Sequence, residues 1–184
     1  INDASTDNTK NCIMKFSFDS RIRLFNNEDN KGVAKTRNIG INLAQGDYIS
    51  FLDSDDLWDK DFLAILIDYI NKNNDVNFVY SIPEKFYMDG RKKTEDHKCV
   101  SGKILEFIGK SNEFRAPFDM NSFIIKKKIL EKYNIFFPEG FKISEDICFF
   151  MKILCVTEGY GINKRLTFYR QHSNSATKKK WIPE

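Results

Sequence analysis

The chain has 184 residues, 41% hydrophobic and 14% aromatic, enough for one domain that buries roughly 70% of its unfolded surface. Lys+Arg 29 against Asp+Glu 26 leave a net charge of only +3, which argues against a nucleic-acid partner, because that binding rests on neutralising many phosphates. No apolar run approaches the roughly 20 residues of a membrane span, and Cys12, Cys99, Cys148 and Cys155 form no C-x-x-C pair, so free thiols and a reducing, cytoplasmic setting are expected.

Ile1-Asn2-Asp3 reads as the end of a strand entering a turn, and the expectation is that an earlier strand and helix are missing ahead of it. A helix is predicted from Asn8 to Phe16, capped by Ser5 or Thr6. Arg21 to Asn26 alternates polar and apolar residues, as a half-buried strand does. A second helix spans Val33 to about Ala44, closed by Gly46, and Tyr48 to Leu52 forms an apolar strand ending on Asp53. Phe62 to Asn71 is a further helix, with Phe62, Leu63, Leu66, Tyr69 and Ile70 on one side, followed by a strand over Val76 to Ile82. This alternation predicts an α/β fold with a mostly parallel sheet flanked by helices.

The second half is less regular. Asp89-Gly90 marks a hairpin turn within Phe86 to Val100. Ser122 to Ile125 reads as a strand, Ile129 to Tyr133 as a short helix, and Tyr160 to Tyr169 as the last strand. Ser144 is expected to cap a helix over Glu145 to Val156 whose first turn is acidic. No repeat or linker divides the chain, so 1–184 is read as one domain, with an α/β half over 1–82 and a smaller α+β half over 83–184.

The sharpest chemical signal is Phe51-Leu52-Asp53-Ser54-Asp55-Asp56. In open α/β sheets, ligands bind beyond the carboxyl ends of strands. Asp53 and Asp55 are two apart, so in extended geometry they share a side and repel unless a cation or donors lie between them. A Mg²⁺ or Mn²⁺ ion bridging a diphosphate suits such oxygen ligands. The competing reading is a solvated loop in which Asp56 caps the next helix.

Asp3-Ala4-Ser5-Thr6-Asp7-Asn8-Thr9 resembles the D-G-S-x-D-x-T turn of glycosyltransferase family 2. Gly32-Val33-Ala34-Lys35-Thr36-Arg37-Asn38 is similar to that family's G-x-x-x-A-R-N segment, with Thr36 in place of Ala. Ala44 to Ile49 followed by Phe51 to Asp56 resembles its A-x-G-x-y-I-x-F-L-D-x-D-D. The resemblance implies a GT-A fold and an inverting transfer from a nucleotide-sugar donor, a UDP-sugar, to a glycan or lipid-linked acceptor. Residues 1–82 would then hold the donor and 83–184 the acceptor.

Carried over by position, the resemblance implies that Asp3 accepts a hydrogen bond from the base and that Arg37 faces the nucleotide. Physically, a carboxylate suits an imide N–H and a guanidinium suits phosphate oxygens; the plainer readings are an Asx-turn and an exposed helix arginine. Asp55 is implied to bind Mn²⁺ or Mg²⁺, with Asp53 on the ribose or the metal's water shell. Glu145-Asp146 resembles the family's E-D pair, with Asp146 the general base and Glu145 the fallback; the plainer reading is dipole compensation. Tyr169-Arg170-Gln171-His172 resembles a Y-R-x-H segment in which His172 completes the metal site and Arg170 pairs with diphosphate or with an acid such as Glu145.

Trp58 has two readings, a sugar-stacking ring and a core residue; His97 is assigned no role. Lys178-Lys179-Lys180-Trp181 allows either a solvated tail or peripheral contact with an anionic membrane surface. The alternatives in function are a sugar-phosphate nucleotidylyltransferase and a non-catalytic nucleotide-sugar-binding fragment. Were Ile1 the true start, the open base pocket would predict weak or absent turnover, with activity in a longer form. Richness in Lys, Asn, Ile and Phe suggests an AT-rich bacterial genome, and family analogy then suggests surface polysaccharide synthesis.

Overall fold

Asn2 makes the chain's first long-range contact. Its N–H donates to the Phe25 carbonyl at 2.8 Å and its own carbonyl accepts from Asn27 N–H at 2.9 Å, a single parallel bridge to Asn26. In this computed structural model, which describes residues 1–93, 99–110, 116–141 and 144–172, that bridge is all that forms of the strand expected over Arg21–Asn26. Helix α1 (Thr9–Met14) is shorter than its pattern suggested. Asp7 Oδ1 accepts from Thr9 N–H at 3.0 Å, so Asp7 anchors this start and not Ser5 or Thr6.

Helix α2 (Val33–Leu43) follows Gly32, whose φ of 80° few other residues adopt. It ends at Ala44, which is already extended, before Gly46 is reached. Strand β1 (Tyr48–Ile49) is brief, and Ser50 leaves it by donating its hydroxyl to the Phe123 carbonyl at 2.6 Å. After β2 (Leu57–Trp58) comes α3 (Phe62–Lys72). Its residues Phe62, Leu66 and Ile70 are buried at four-residue spacing, each contributing roughly 1.5–3 kcal/mol, whereas Leu63 is 42% exposed and leaves the predicted apolar side.

Strand β3 (Phe78–Tyr87) is longer than expected and turns at Gly90 into β4 (Lys92–Lys93). Strand β5 (Ser101–Gly102) and helix α4 (Ile104–Lys110), which carry no strong sequence signal, come next. Then follow β6 (Phe123–Lys126), α5 (Lys127–Lys132), α6 (Glu145–Leu154) and β7 (Gly159–Gln171).

The strands form one seven-stranded sheet with the path β1-β6-β3-β7-β2, with β4 on β3 and β5 on β7. Strands β3 and β7 run parallel over ten register pairs, whereas the other ladders are antiparallel. The sheet is therefore mixed, not mostly parallel. β1 and β3 do point the same way, as a strand–helix–strand crossover requires, but β6 inserts antiparallel to both. The β3–β7 register shifts between Ser81 and Pro83, where proline has no N–H to give the ladder. Gly159 and Gly161 leave room for the rings of Phe78 and Tyr80, which a Cβ would approach within 2.9 and 2.8 Å.

Strand periodicity sorts the core onto two faces. Phe78, Tyr80, Phe123 and Ile125 face a large cluster with α6 and α4, while Val79 and Ile124 face α3. Burial on both faces explains why β3 opens on Phe78-Val79-Tyr80, with no polar residue alternating between them. On the larger face Phe51 meets Phe137 and Phe149 edge-on at 5.4 and 6.0 Å. This packing delivers the acidic loop beyond β1 to the neighbourhood of α6. No described helix is long and apolar enough to cross a membrane, and the four cysteines are free.

Candidate active site

The loop Asp53–Asp56 is a turn, closed by Asp56 N–H donating to the Asp53 carbonyl at 3.0 Å. Extended geometry would have pointed Asp53 and Asp55 to one side; the turn separates their partners. Asp53 accepts from Arg37 Nη2 at 2.8 and 3.1 Å. Asp55 Oδ2 instead lies 2.9 Å from His172 Nε2. The two segments predicted to share a metal, 117 positions apart, are thus brought together by the antiparallel β2–β7 ladder, in which Leu57, just after the acidic loop, faces Phe168.

A cation can be weighed against this donor set. One carboxylate oxygen and one imidazole nitrogen converge, and both side chains are partly open, 40% and 29% exposed. No group of three or more His, Cys, Asp or Glu side chains suited to a metal forms among the described residues. Two protein ligands with open positions fit Mg²⁺ or Mn²⁺, which is commonly held by a carboxylate or two plus substrate phosphates and water. Asp53, engaged by Arg37, stands outside this pair.

Arg37 does not face outward. Its side chain is 11% exposed, Nη1 donates to Glu145 Oε1 at 3.2 Å, and its guanidinium lies 5.5 Å from the Phe137 ring centre. Arg170, one option for pairing with Glu145, turns elsewhere. Its Nε donates to the Asp55 carbonyl at 2.5 Å and its backbone N–H to Asp56 Oδ1 at 2.9 Å, with the guanidinium over Phe86.

Asp3 is held by the loop that leads into α2. Lys31 N–H (2.8 Å) and Asn27 Nδ2 (2.8 Å) donate to Oδ1, and Gly32 N–H (2.9 Å) donates to Oδ2. Burial pushes its pKa up, but these hydrogen bonds outweigh that and hold it below the usual value. The Asx-type bond belongs to its neighbour, since Asn2 Oδ1 accepts Ser5 N–H at 3.2 Å. Asp3 therefore ties the first turn to the start of α2, with Thr36 adding a further side-chain hydrogen bond.

Asp146 occupies the first turn of α6, half-buried, with Oδ1 accepting Ile147 N–H at 2.7 Å. Asp56, buried, does not cap α3, which starts after Asp61. It accepts from Asn121 Nδ2 at 2.8 Å as well as from Arg170. Burial first, and then the nearby Asp55 and Asp53 charges, push its pKa up to about 7. Between about pH 4 and 7 the folded protein therefore holds a proton that the unfolded chain has lost, so this group makes stability fall as pH rises through that window. In metal-free buffer Asp56→Asn should flatten that fall, read as the thermal midpoint between pH 5 and 8; an unchanged slope would contradict the assignment.

Trp58 donates Nε1–H to the Asn121 carbonyl at 2.6 Å and packs on Phe62 at 4.7 Å, so it is a packing residue. His97 and Lys178–Trp181 lie outside the described residues. Sequence reasoning missed Asn38 and Asn121. Asn38 is buried in mid-helix, donating to the Phe137 carbonyl at 3.0 Å and accepting from its N–H at 2.8 Å. An asparagine inside a helix is a weak helix former, and that, with its place at the end of the Gly32–Asn38 segment, was the available signal. Asn121 carried none.

Residues 1–142 match the family described as Glycosyl transferase family 2. The chain belongs to glycosyltransferase family 2. An uncharacterized glycosyltransferase of Rickettsia felis is 32% identical over 171 residues, 92% of this chain and 27% of that protein. The Escherichia coli protein named UDP-Glc:alpha-D-GlcNAc-diphosphoundecaprenol beta-1,3-glucosyltransferase WfgD is 46% identical over 78 residues, 42% of this chain and 30% of its own. Staphylococcus aureus TarS, solved with UDP-GlcNAc, superposes with a TM-score of 0.76 at 20% identity, over 98% of this chain and 51% of that one. That likeness shows the fold, the α/β architecture expected of this family. The chain spans about a quarter to a third of the two curated relatives just named.

Proposed function

We propose that the chain is the catalytic core of an inverting glycosyltransferase that moves a sugar from a UDP-sugar to a hydroxyl of a glycan or lipid-linked acceptor. The observation that carries this reading is the contact of Asp55 with His172 at 2.9 Å, beside an acidic loop that Arg37 ties to the E-D helix start. The names of relatives, one of them acting on a diphosphoundecaprenol-linked acceptor, support the donor and acceptor classes. Bacterial surface polysaccharide synthesis, at the cytoplasmic face of a membrane, is the corresponding setting.

In this reading Asp3 and its loop receive the base, Asp53 the ribose, and Asp55 with His172 would hold Mn²⁺ or Mg²⁺. When bound, that cation supplies Lewis-acid stabilisation of charge on the departing diphosphate. Arg170, braced by Phe86, orients the acidic loop through the Asp55 carbonyl. Asp146 takes the proton from the acceptor hydroxyl as its oxygen bonds to the anomeric carbon. The bond from that carbon to the diphosphate oxygen breaks, UDP departs from the opposite side, and the anomeric centre inverts. The reading is tested by whether the folded protein binds UDP only with a divalent cation, and whether Asp55→Ala removes that dependence.

A further inference from the structure

Arg37 and Asn38, consecutive residues of α2, reach the second half of the chain at two points. Asn38 clamps the backbone of Phe137 in both directions, and Arg37 pairs with Glu145 in the first turn of α6. Phe137 in turn stacks on Phe149 of the same helix at 3.9 Å and 9°. The start of α6 lacks a side-chain cap from its N-cap residue. Ser144 sits at a left-handed φ of 71° and makes no side-chain cap bond, the anchor that an N-cap serine ordinarily supplies.

Anion binding fits Arg37 poorly. Its side chain is largely covered, and it faces two carboxylates, Asp53 and Glu145, so the cluster carries one net negative charge. A diphosphate approaching it would meet repulsion, and drawing Arg37 away would leave two acids uncompensated.

From these contacts we propose that Arg37 is a positioning residue. It fixes the first turn of α6, and with it Asp146, against the loop that carries Asp53 and Asp55, so that the base and the donor site keep one geometry. The inference rests on the glycosyltransferase reading, since it assigns Asp146 the acceptor's proton. A displacement of about 1 Å in such a group can lower turnover about 100-fold, whereas donor affinity should change little, because Asp3, Asp55 and His172 make their hydrogen bonds with residues other than Arg37.

The test compares wild type with Arg37→Gln, Arg37→Lys, Glu145→Gln and the Arg37→Gln/Glu145→Gln pair. It measures UDP-sugar hydrolysis, UDP affinity with Mn²⁺, and hydrogen exchange at the Asp146–Cys148 amides. Arg37→Gln should lower kcat about 100-fold, leave donor KM and UDP Kd within about threefold, and speed the exchange about tenfold. Glu145→Gln should do the same, the pair should do no worse, and Arg37→Lys should recover part of kcat. Glu145→Gln, which leaves the Arg37–Asp53 pair intact, carries the test if Arg37→Gln does not fold. Weakening of UDP by about tenfold or more with kcat retained would make Arg37 a diphosphate ligand, overturning the inference while leaving the donor site standing. Unchanged kcat and exchange in both single variants would also overturn it. Wild-type protein that binds no UDP would remove the functional reading itself.

Discussion

Asp146→Asn should lower turnover by about 100- to 10,000-fold, the contribution expected of a positioned general base, while UDP affinity stays close to wild type. Asparagine preserves the shape of the side chain, and its amide oxygen can still accept Ile147 N–H, which Asp146 Oδ1 receives at 2.7 Å. What it cannot do is take a proton. A residue that merely complements the α6 dipole would matter far less, because such charges contribute about 0.3–1 kcal/mol at a helix end. Steady-state kinetics with saturating donor decide the matter. Retention of more than about a tenth of kcat would place the base elsewhere, and Glu145, held by Arg37, would be the next residue to test.

Phe149→Ala should destabilise the fold by about 3–5 kcal/mol, the usual cost of removing a buried aromatic ring. Phe149 is fully buried, stacked on Phe137 and edge-on to Phe51. It therefore joins α6 to the segment leading into Asp53, so the same substitution should loosen the site before the protein unfolds globally. Urea unfolding gives the measurement, with Phe18→Ala as the control. Phe18 is 84% exposed, and its loss should stay within about 0.5 kcal/mol. Equal effects at the two positions would mean that the aromatic cluster does not carry the fold.

The elements most legible in the sequence were those whose pattern is local. Helix α3 shows its stripe of Phe62, Leu66 and Ile70, and α2 and α6 were found to within about two residues, the ordinary uncertainty of helix ends. The Asp89-Gly90 turn signal formed its hairpin. Sheet order was not legible, because nothing in the periodicity of Phe123–Lys126 says that it slots antiparallel between β1 and β3. The Arg21–Asn26 alternation gave one bridge, since a period-two pattern does not by itself supply a partner strand.

At the site, the residue types were readable and their partners were not. Asp55 and His172 meet as the motifs suggested, because each sits at the end of a strand or the turn beyond it. Asp53 parted from Asp55 because the loop turns after Leu52, and alternation holds only for extended backbone. Arg37 was read as facing a nucleotide, yet its two acids lie 16 and 108 positions away, and tertiary packing alone brings them together. Asp56 looked like a helix cap and became a buried acid between Asn121 and Arg170.

A cation-assisted UDP-sugar site built on Asp55 and His172 is tested most directly by calorimetric titration of UDP into the folded protein, with and without Mn²⁺, repeated with Asp55→Ala. Binding should strengthen about tenfold or more with Mn²⁺, and Mn²⁺ should make no difference to the Asp55→Ala protein. Absence of UDP binding in either condition, or the same Mn²⁺ dependence without Asp55, would contradict such a site.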